Sequence, residues 1–145
     1  YMAHRFALET INPDYDYTLI FEADAYIDSG LMEFVEIIHK ACFISERDNV
    51  PFISFANNPS NSKENIDELF SKTAHNQDLA HAYLIPNRDK QWYMDRIKDC
   101  EWDVADLWYN HVFYNHKRNR YTTNYPFSKQ AEGLSLLDNT NKSWK

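Results

Sequence analysis

Glu22 and Asp24 stand one residue apart, immediately after the apolar run Leu19-Ile20-Phe21. The run has the length and bulk of a buried strand and predicts one over Thr18–Phe21. A strand inside a two-sided sheet has no reason to finish in carboxylates unless they face a crevice. Ligands of open α/β sheets sit at the carboxyl ends of strands, where these acids fall. Alternation predicts both side chains on one side, within reach of one cation or one polar ligand. Hard oxygen donors of this kind suit Mg²⁺ or Mn²⁺, shared with substrate phosphates. The competing reading is a strand running out into an acidic loop.

A second set of polar groups lies further on. Asp103, Asp106 and Asn110 are spaced i, i+3 and i+7, so they share a helix face opposite Val104, Leu107 and Trp108. Such a face can present a carboxylate as a general base to an acceptor hydroxyl. Helix capping competes for both acids, since Asp103 is a good N-cap and Asp106 falls where a helix start favours an acid. Asp103 is the better cap, so Asp106 is expected to be the freer of the two and to face the cleft. Lys117, Arg118 and Arg120 form the basic cluster of an acidic chain, read either as an anion contact or as a solvated turn. The six histidines show no paired metal spacing, and His111 is expected in the core. There is no phosphate-cradling glycine loop, nucleophile elbow or Cys/His pair.

The elements that must position these groups follow from periodicity. Ala3–Ile11 reads as helix with Phe6, Leu8 and Ile11 apolar, stopped by Asn12-Pro13-Asp14. After the cap region Asp28-Ser29-Gly30, the positions Leu31, Phe34, Val35, Ile38 and Cys42 mark an amphipathic helix. Phe52–Phe55 and Ala82–Ile85 are short apolar strands, the first ended by the turn signal Asn57-Asn58-Pro59. A helix is expected from Asn61-Ser62 and Glu64 through Ile66, Leu69 and Phe70, another at Trp92–Ile97. The last helix would bury Val104, Leu107, Trp108, His111 and Val112. Arg120–Thr123 reads as a strand, of the sheet or of a separate ribbon, then Tyr125–Phe127 as extended chain and Phe127–Ser135 as a polar loop. Strands alternating with helices argue for α/β, with the three apolar runs in one two-sided sheet.

Composition narrows the function classes. At 145 residues the chain is expected to be a single domain or part of one. Ten tyrosines, nine phenylalanines and four tryptophans supply a core, with a sugar- or base-stacking platform as the alternative use. A net charge of −7 argues against nucleic acid as a partner. Cys42 and Cys100 lie far apart without metal-ligand spacing and are expected to be reduced and buried, as in a cytoplasmic protein. No apolar stretch has transmembrane length, and Asn141-Lys142-Ser143 is a chance-length sequon.

The order of the motifs resembles the metal-binding half of GT-A type glycosyltransferases. The likeness is to the lipooligosaccharide glycosyltransferases (family 25 of the glycosyltransferases) and related bacterial and viral sugar transferases. It runs over nearly the whole chain: a helix carrying His4, then Leu19-Ile20-Phe21-Glu22-Ala23-Asp24-Ala25, then Ala82-Tyr83-Leu84-Ile85-Pro86. An Asp at a helix start follows, and finally Pro126-Phe127 with Gln130 and Ser135. The resemblance implies a GT-A-like mixed sheet with helices on both faces. The acidic motif follows 21 residues, where the family places nucleotide-binding strands first, so residues 1–145 would be a C-terminal portion of the domain. It further implies Glu22 against the sugar nucleotide and Asp24 on the Mn²⁺ or Mg²⁺ held by the donor's diphosphate. Ala23 stands where the family usually has an acid. Asp106, or else Asp103, would be the acid near the acceptor. The expected function is transfer of a sugar from a nucleotide-sugar donor to a glycan or other hydroxyl acceptor. The alternatives are a non-catalytic glycan- or cation-binding module, or another metal-dependent enzyme handling phosphate.

Overall fold

Leu19-Ile20-Phe21 does form a strand, β1 (Tyr17–Phe21), in a six-stranded mixed sheet. In the computed structural model, residues 2–56, 63–73, 80–97 and 105–131 are described. The sheet is completed by β3 (Ile53–Ser54), β4 (Lys63–Asn65), β5 (Phe70–Thr73), β6 (Ala82–Pro86) and β7 (Tyr121–Thr123) in the order β1-β6-β3-β7-β5-β4. A two-stranded ribbon pairs β2 (Ala25–Ile27) with β8 (Ser128–Gln130). The helices are α1 (Met2–Glu9), α2 (Leu31–Asp48), α3 (Lys90–Ile97) and α4 (Ala105–Asn115). Strand β6 is antiparallel to both β1 and β3, and β3 is parallel to β7. Strands β1, β3 and β7 therefore run the same way, and their carboxyl ends share one edge.

Helices cover both faces. Along β6 every residue is buried, and alternate side chains serve two cores. Tyr83 and Ile85 pack with Leu8 and Ile11 beside α1, Tyr93 and Ile97 of α3, and Trp108 and Tyr109 of α4. Ala82 and Leu84 pack with Phe34, Ile37, Ala41 and Ile44 of α2. This two-sided burial is why the strands read as continuous apolar runs. The sequence predicts β1 to be buried as well, but it lies at the sheet's edge, with Ile20 buried and Phe21 exposed.

Helix α2 buries Phe34, Ile37, Ala41, Ile44 and Ser45, a stripe rotated from the predicted one, and Leu31 is 68% exposed. It starts at Gly30 without a side-chain cap and ends where Asn49 turns left-handed (φ 52°) and donates its N–H to the Ser45 carbonyl. Helix α4 buries Ala105, Trp108, Tyr109, Val112 and Phe113. His111 is exposed, its Nε2 accepting from Asn115 Nδ2 at 2.9 Å, so it is not a core residue. Strand β7 lies inside the main sheet rather than in a ribbon, between β3 and β5. The ribbon is made instead by residues just after Asp24 and by the start of the predicted polar loop.

The helix expected through Ile66, Leu69 and Phe70 is the β4–β5 hairpin. Ile66, Leu69 and Phe70 have helical spacing, but Asp67 takes their backbone elsewhere. Its Oδ1 accepts the N–H groups of Leu69 (2.7 Å) and Phe70 (2.8 Å), and the Phe70 carbonyl accepts from Ile66 N–H (2.9 Å). A local side-chain acceptor of this kind offers the backbone an alternative to helix. Asn124 then donates Nδ2 to the carbonyls of Asp67 and Glu68, tying the turn to the end of β7. Asp67→Ala should cost about 1–2 kcal/mol of unfolding free energy in denaturant titration. A change below about 0.3 kcal/mol would mean that β5–β7 pairing alone sets the turn.

Candidate functional site

The carboxyl ends of the parallel strands gather the chemistry. β1 ends at Phe21, and Glu22 extends its pairing by one bond, its N–H donating to the His81 carbonyl at 2.8 Å. Ala23 and Asp24 then form a turn, closed by the Ala25 N–H on the Glu22 carbonyl at 3.1 Å. Glu22 and Asp24 are thus separated by a turn, not by one pleat, and strand alternation does not govern them. Asp24 is exposed, and its main-chain carbonyl accepts from Ala131 N–H at 2.7 Å, tying the turn to the end of β8.

Glu22 is only a third exposed and is held from two sides. His4 Nε2 lies 2.9 Å from its Oε1, and Gln130 Nε2 donates to its Oε2 at 3.1 Å. His4 comes from α1 and Gln130 from β8, so three distant segments converge on one carboxylate. The other nitrogen of His4 lies 2.7 Å from the Tyr83 hydroxyl, which lies 2.7 Å from that of Tyr109. The hydrogen bond from His4 holds the Glu22 carboxyl below its ordinary value, against the opposing effect of burial. Burial, reinforced by Tyr109, holds the Tyr83 phenol well above its own.

Sequence reasoning placed His4 and Gln130 only as pieces of the resemblance. A signal for His4 was available: with Leu8 and Ile11 it is spaced i, i+4 and i+7 on the buried side of the first segment. A buried histidine there must find partners for both ring nitrogens. Tyr83 carried a similar signal, since a tyrosine inside an apolar strand needs a partner for its hydroxyl.

The His4–Glu22 bond makes a prediction about stability. Because the folded-state value of Glu22 is depressed, its contribution is complete above the ordinary carboxylate range. It is lost as the pH falls through the depressed value. Between pH 7 and pH 3, Glu22→Gln should therefore lose less stability than the wild type in urea titrations. Parallel losses would show that the bond contributes nothing. His4→Ala, which also removes one of the two partners of the Tyr83 hydroxyl, should cost about 2 kcal/mol at pH 7.

The second set of acids is divided. Asp103, with Val104, lies outside the described residues, as do Cys100, Asn57–Ser62, Gly133, Ser135 and the sequon Asn141-Lys142-Ser143. Asp106 is in the first turn of α4, and its Oδ1 accepts the Ala80 N–H at 2.7 Å. Ala80 precedes His81, whose carbonyl holds Glu22, so Asp106 is fixed beside the same edge of the sheet. Part of its carboxylate is thus committed to backbone, which the reading of Asp106 as the freer acid does not anticipate. Asn110 accepts from Arg120 Nη2 at 2.7 Å. Arg120 is buried and Arg118 pairs with Asp89 at 3.0 Å, so of the basic cluster the solvated-turn reading fits Lys117.

Among the described residues, no group of three or more His, Cys, Asp or Glu could hold an ion unaided. Mg²⁺ and Mn²⁺ do not require one when a substrate diphosphate completes the shell, since one or two carboxylates suffice. The exposed Asp24 and the acceptor capacity left on Glu22 fit that kind of site. Among the described residues, no helix is long and apolar enough to cross a membrane. Compared with protein-family models and with curated proteins, the chain matches none.

Proposed function

We propose that this protein is a metal-dependent, GT-A type glycosyltransferase that moves a sugar from a nucleotide-sugar donor to a glycan or other hydroxyl acceptor. One observation carries the reading. His4, Glu22 and Gln130, which belong to separate motifs of the resemblance, form one hydrogen-bonded set beside Asp24. That set sits at the carboxyl edge of β1, β3 and β7, where α/β sheets bind ligands. The free thiol of Cys42 suits a cytoplasmic protein.

Each residue then has a task. Asp24 would hold Mn²⁺ or Mg²⁺ together with the donor's diphosphate, and the ion would supply Lewis-acid stabilisation of the leaving group. Glu22 is oriented by His4 and Gln130. An ionised carboxylate has about four acceptor positions, and these two bonds use two, so Glu22 can still accept from a donor hydroxyl. If the reaction inverts, Asp106 or Asp103 removes the proton of the acceptor hydroxyl; a retaining reaction needs no such base.

Linked binding tests the reading. Uridine and guanosine diphosphates are added to the protein with Mn²⁺, with Mg²⁺ and with EDTA, and the thermal midpoint is followed. One nucleotide with a metal should raise the midpoint more than the two separate shifts combined, because each ligand completes the other's site. A metal shift indifferent to every nucleotide would favour a cation-binding module instead.

A further inference from the structure

Tyr83 and Tyr109 are both fully buried, and their hydroxyls form a chain of bonds that ends on Glu22. The chain has a direction. An ionised Glu22 can only accept, so His4 Nε2 must carry the hydrogen. When the ring is neutral, Nδ1 is left as an acceptor. Tyr83 therefore donates to His4, and its oxygen is left to accept from Tyr109. The rings have little room to depart from this arrangement. Phe52 stacks on Tyr83 at 4.7 Å between centroids and lies 5.1 Å from Tyr109.

The placement of the far end gives the chain a use. Tyr109 stands three residues after Asp106 on α4, less than one turn along the helix. The chain thus connects the helix that carries Asp106 to the strand end that carries Glu22 and Asp24. We propose that Tyr109, Tyr83 and His4 are a positioning brace: they fix the orientation of Glu22 and hold the Asp106 helix at a set distance from it. Its catalytic consequence rests on the glycosyltransferase reading, whereas the bond order within it does not. Displacing an acceptor-side group by an ångström can cost about 10²-fold in rate, while hydrolysis by water is less demanding of position.

The test combines imidazole ¹⁵N NMR of the metal-free protein at neutral pH with kinetics on nucleotide sugars. His4→Gln assigns the His4 signals. The wild type should show the Nε2–H tautomer. Tyr83→Phe keeps the ring and the Nε2–H that Glu22 holds but removes the donor to Nδ1, so the tautomer should persist while the Nδ1 resonance moves downfield. In the same variant, transfer to acceptor should fall about tenfold or more relative to donor hydrolysis. Tyr109→Phe should leave the tautomer in place yet lower the same ratio, which a merely structural role would not do. An Nδ1–H tautomer in the wild type, an Nδ1 resonance that Tyr83→Phe leaves unmoved, or a normal ratio in both variants overturns the brace. Wild-type protein that turns over no nucleotide sugar overturns the catalytic reading instead, and the tautomer result still decides the bond order.

Discussion

Asp24→Ala should lower metal-dependent turnover by about 10³-fold while leaving the fold intact. The expectation follows from the place of Asp24 in the fold and from its exposure. Asp24 lies at the carboxyl edge of three parallel strands, and it is exposed. Its described tie to the rest of the molecule is through its main-chain carbonyl on Ala131, which the substitution keeps. Surface substitutions away from buried features usually change stability by less than about 0.5 kcal/mol, so circular dichroism and the thermal midpoint should be unchanged. Loss of a group that helps stabilise charge in the transition state, by contrast, costs orders of magnitude in rate. Activity within a few-fold of wild type would remove Asp24 from the metal site. Glu22→Gln should fall between these limits in rate, since it keeps an acceptor but loses its charge.

The second large effect is expected at α4. Asp106→Asn preserves shape and retains an oxygen to accept the Ala80 N–H, so the bond that fixes this corner survives. What it loses is the capacity to take a proton. For an inverting enzyme with Asp106 as base, turnover should fall by about 10²-fold or more, and the loss should not be rescued by metal. Asp103→Asn provides the comparison. Near-normal turnover in Asp106→Asn with collapse in Asp103→Asn would move the base to Asp103. Small effects in both would indicate a retaining reaction. The bond to Ala80 commits Oδ1 of Asp106 to the chain just before β6.

The parts of this structure that were legible in the sequence are those set by local chemistry. Ala82–Ile85 is apolar at every position because alternate residues serve two cores, so its place inside a covered sheet could be read from composition alone. Pro13 and the residues around it end α1 for reasons internal to the segment. Features settled by distant partners were not legible. Ile66, Leu69 and Phe70 carry a helical spacing, yet the choice of hairpin depends on Asp67 and on Asn124, which donates across 57 residues. The buried face of α2 differs from the expected one because Leu31, apolar and in phase with Phe34 and Ile38, is exposed.

The candidate site shows the same division. The types and positions of Glu22 and Asp24 are legible in the sequence, since charged groups ending an apolar strand are unusual. Their separation by a turn could not be foreseen, because it depends on β2 and β8 pairing just beyond Asp24. Gln130 reaches Glu22 across 108 residues of sequence, and nothing in the polar segment that holds it announces the contact.

The account is tested most directly by turnover. The protein is incubated with a panel of nucleotide sugars and Mn²⁺ or Mg²⁺, and release of free nucleoside diphosphate is followed with and without a hydroxyl acceptor and with and without EDTA. The account predicts release from one class of donor, accelerated by acceptor and abolished by the chelator. Release from no nucleotide sugar, or release that EDTA leaves unchanged, would contradict it.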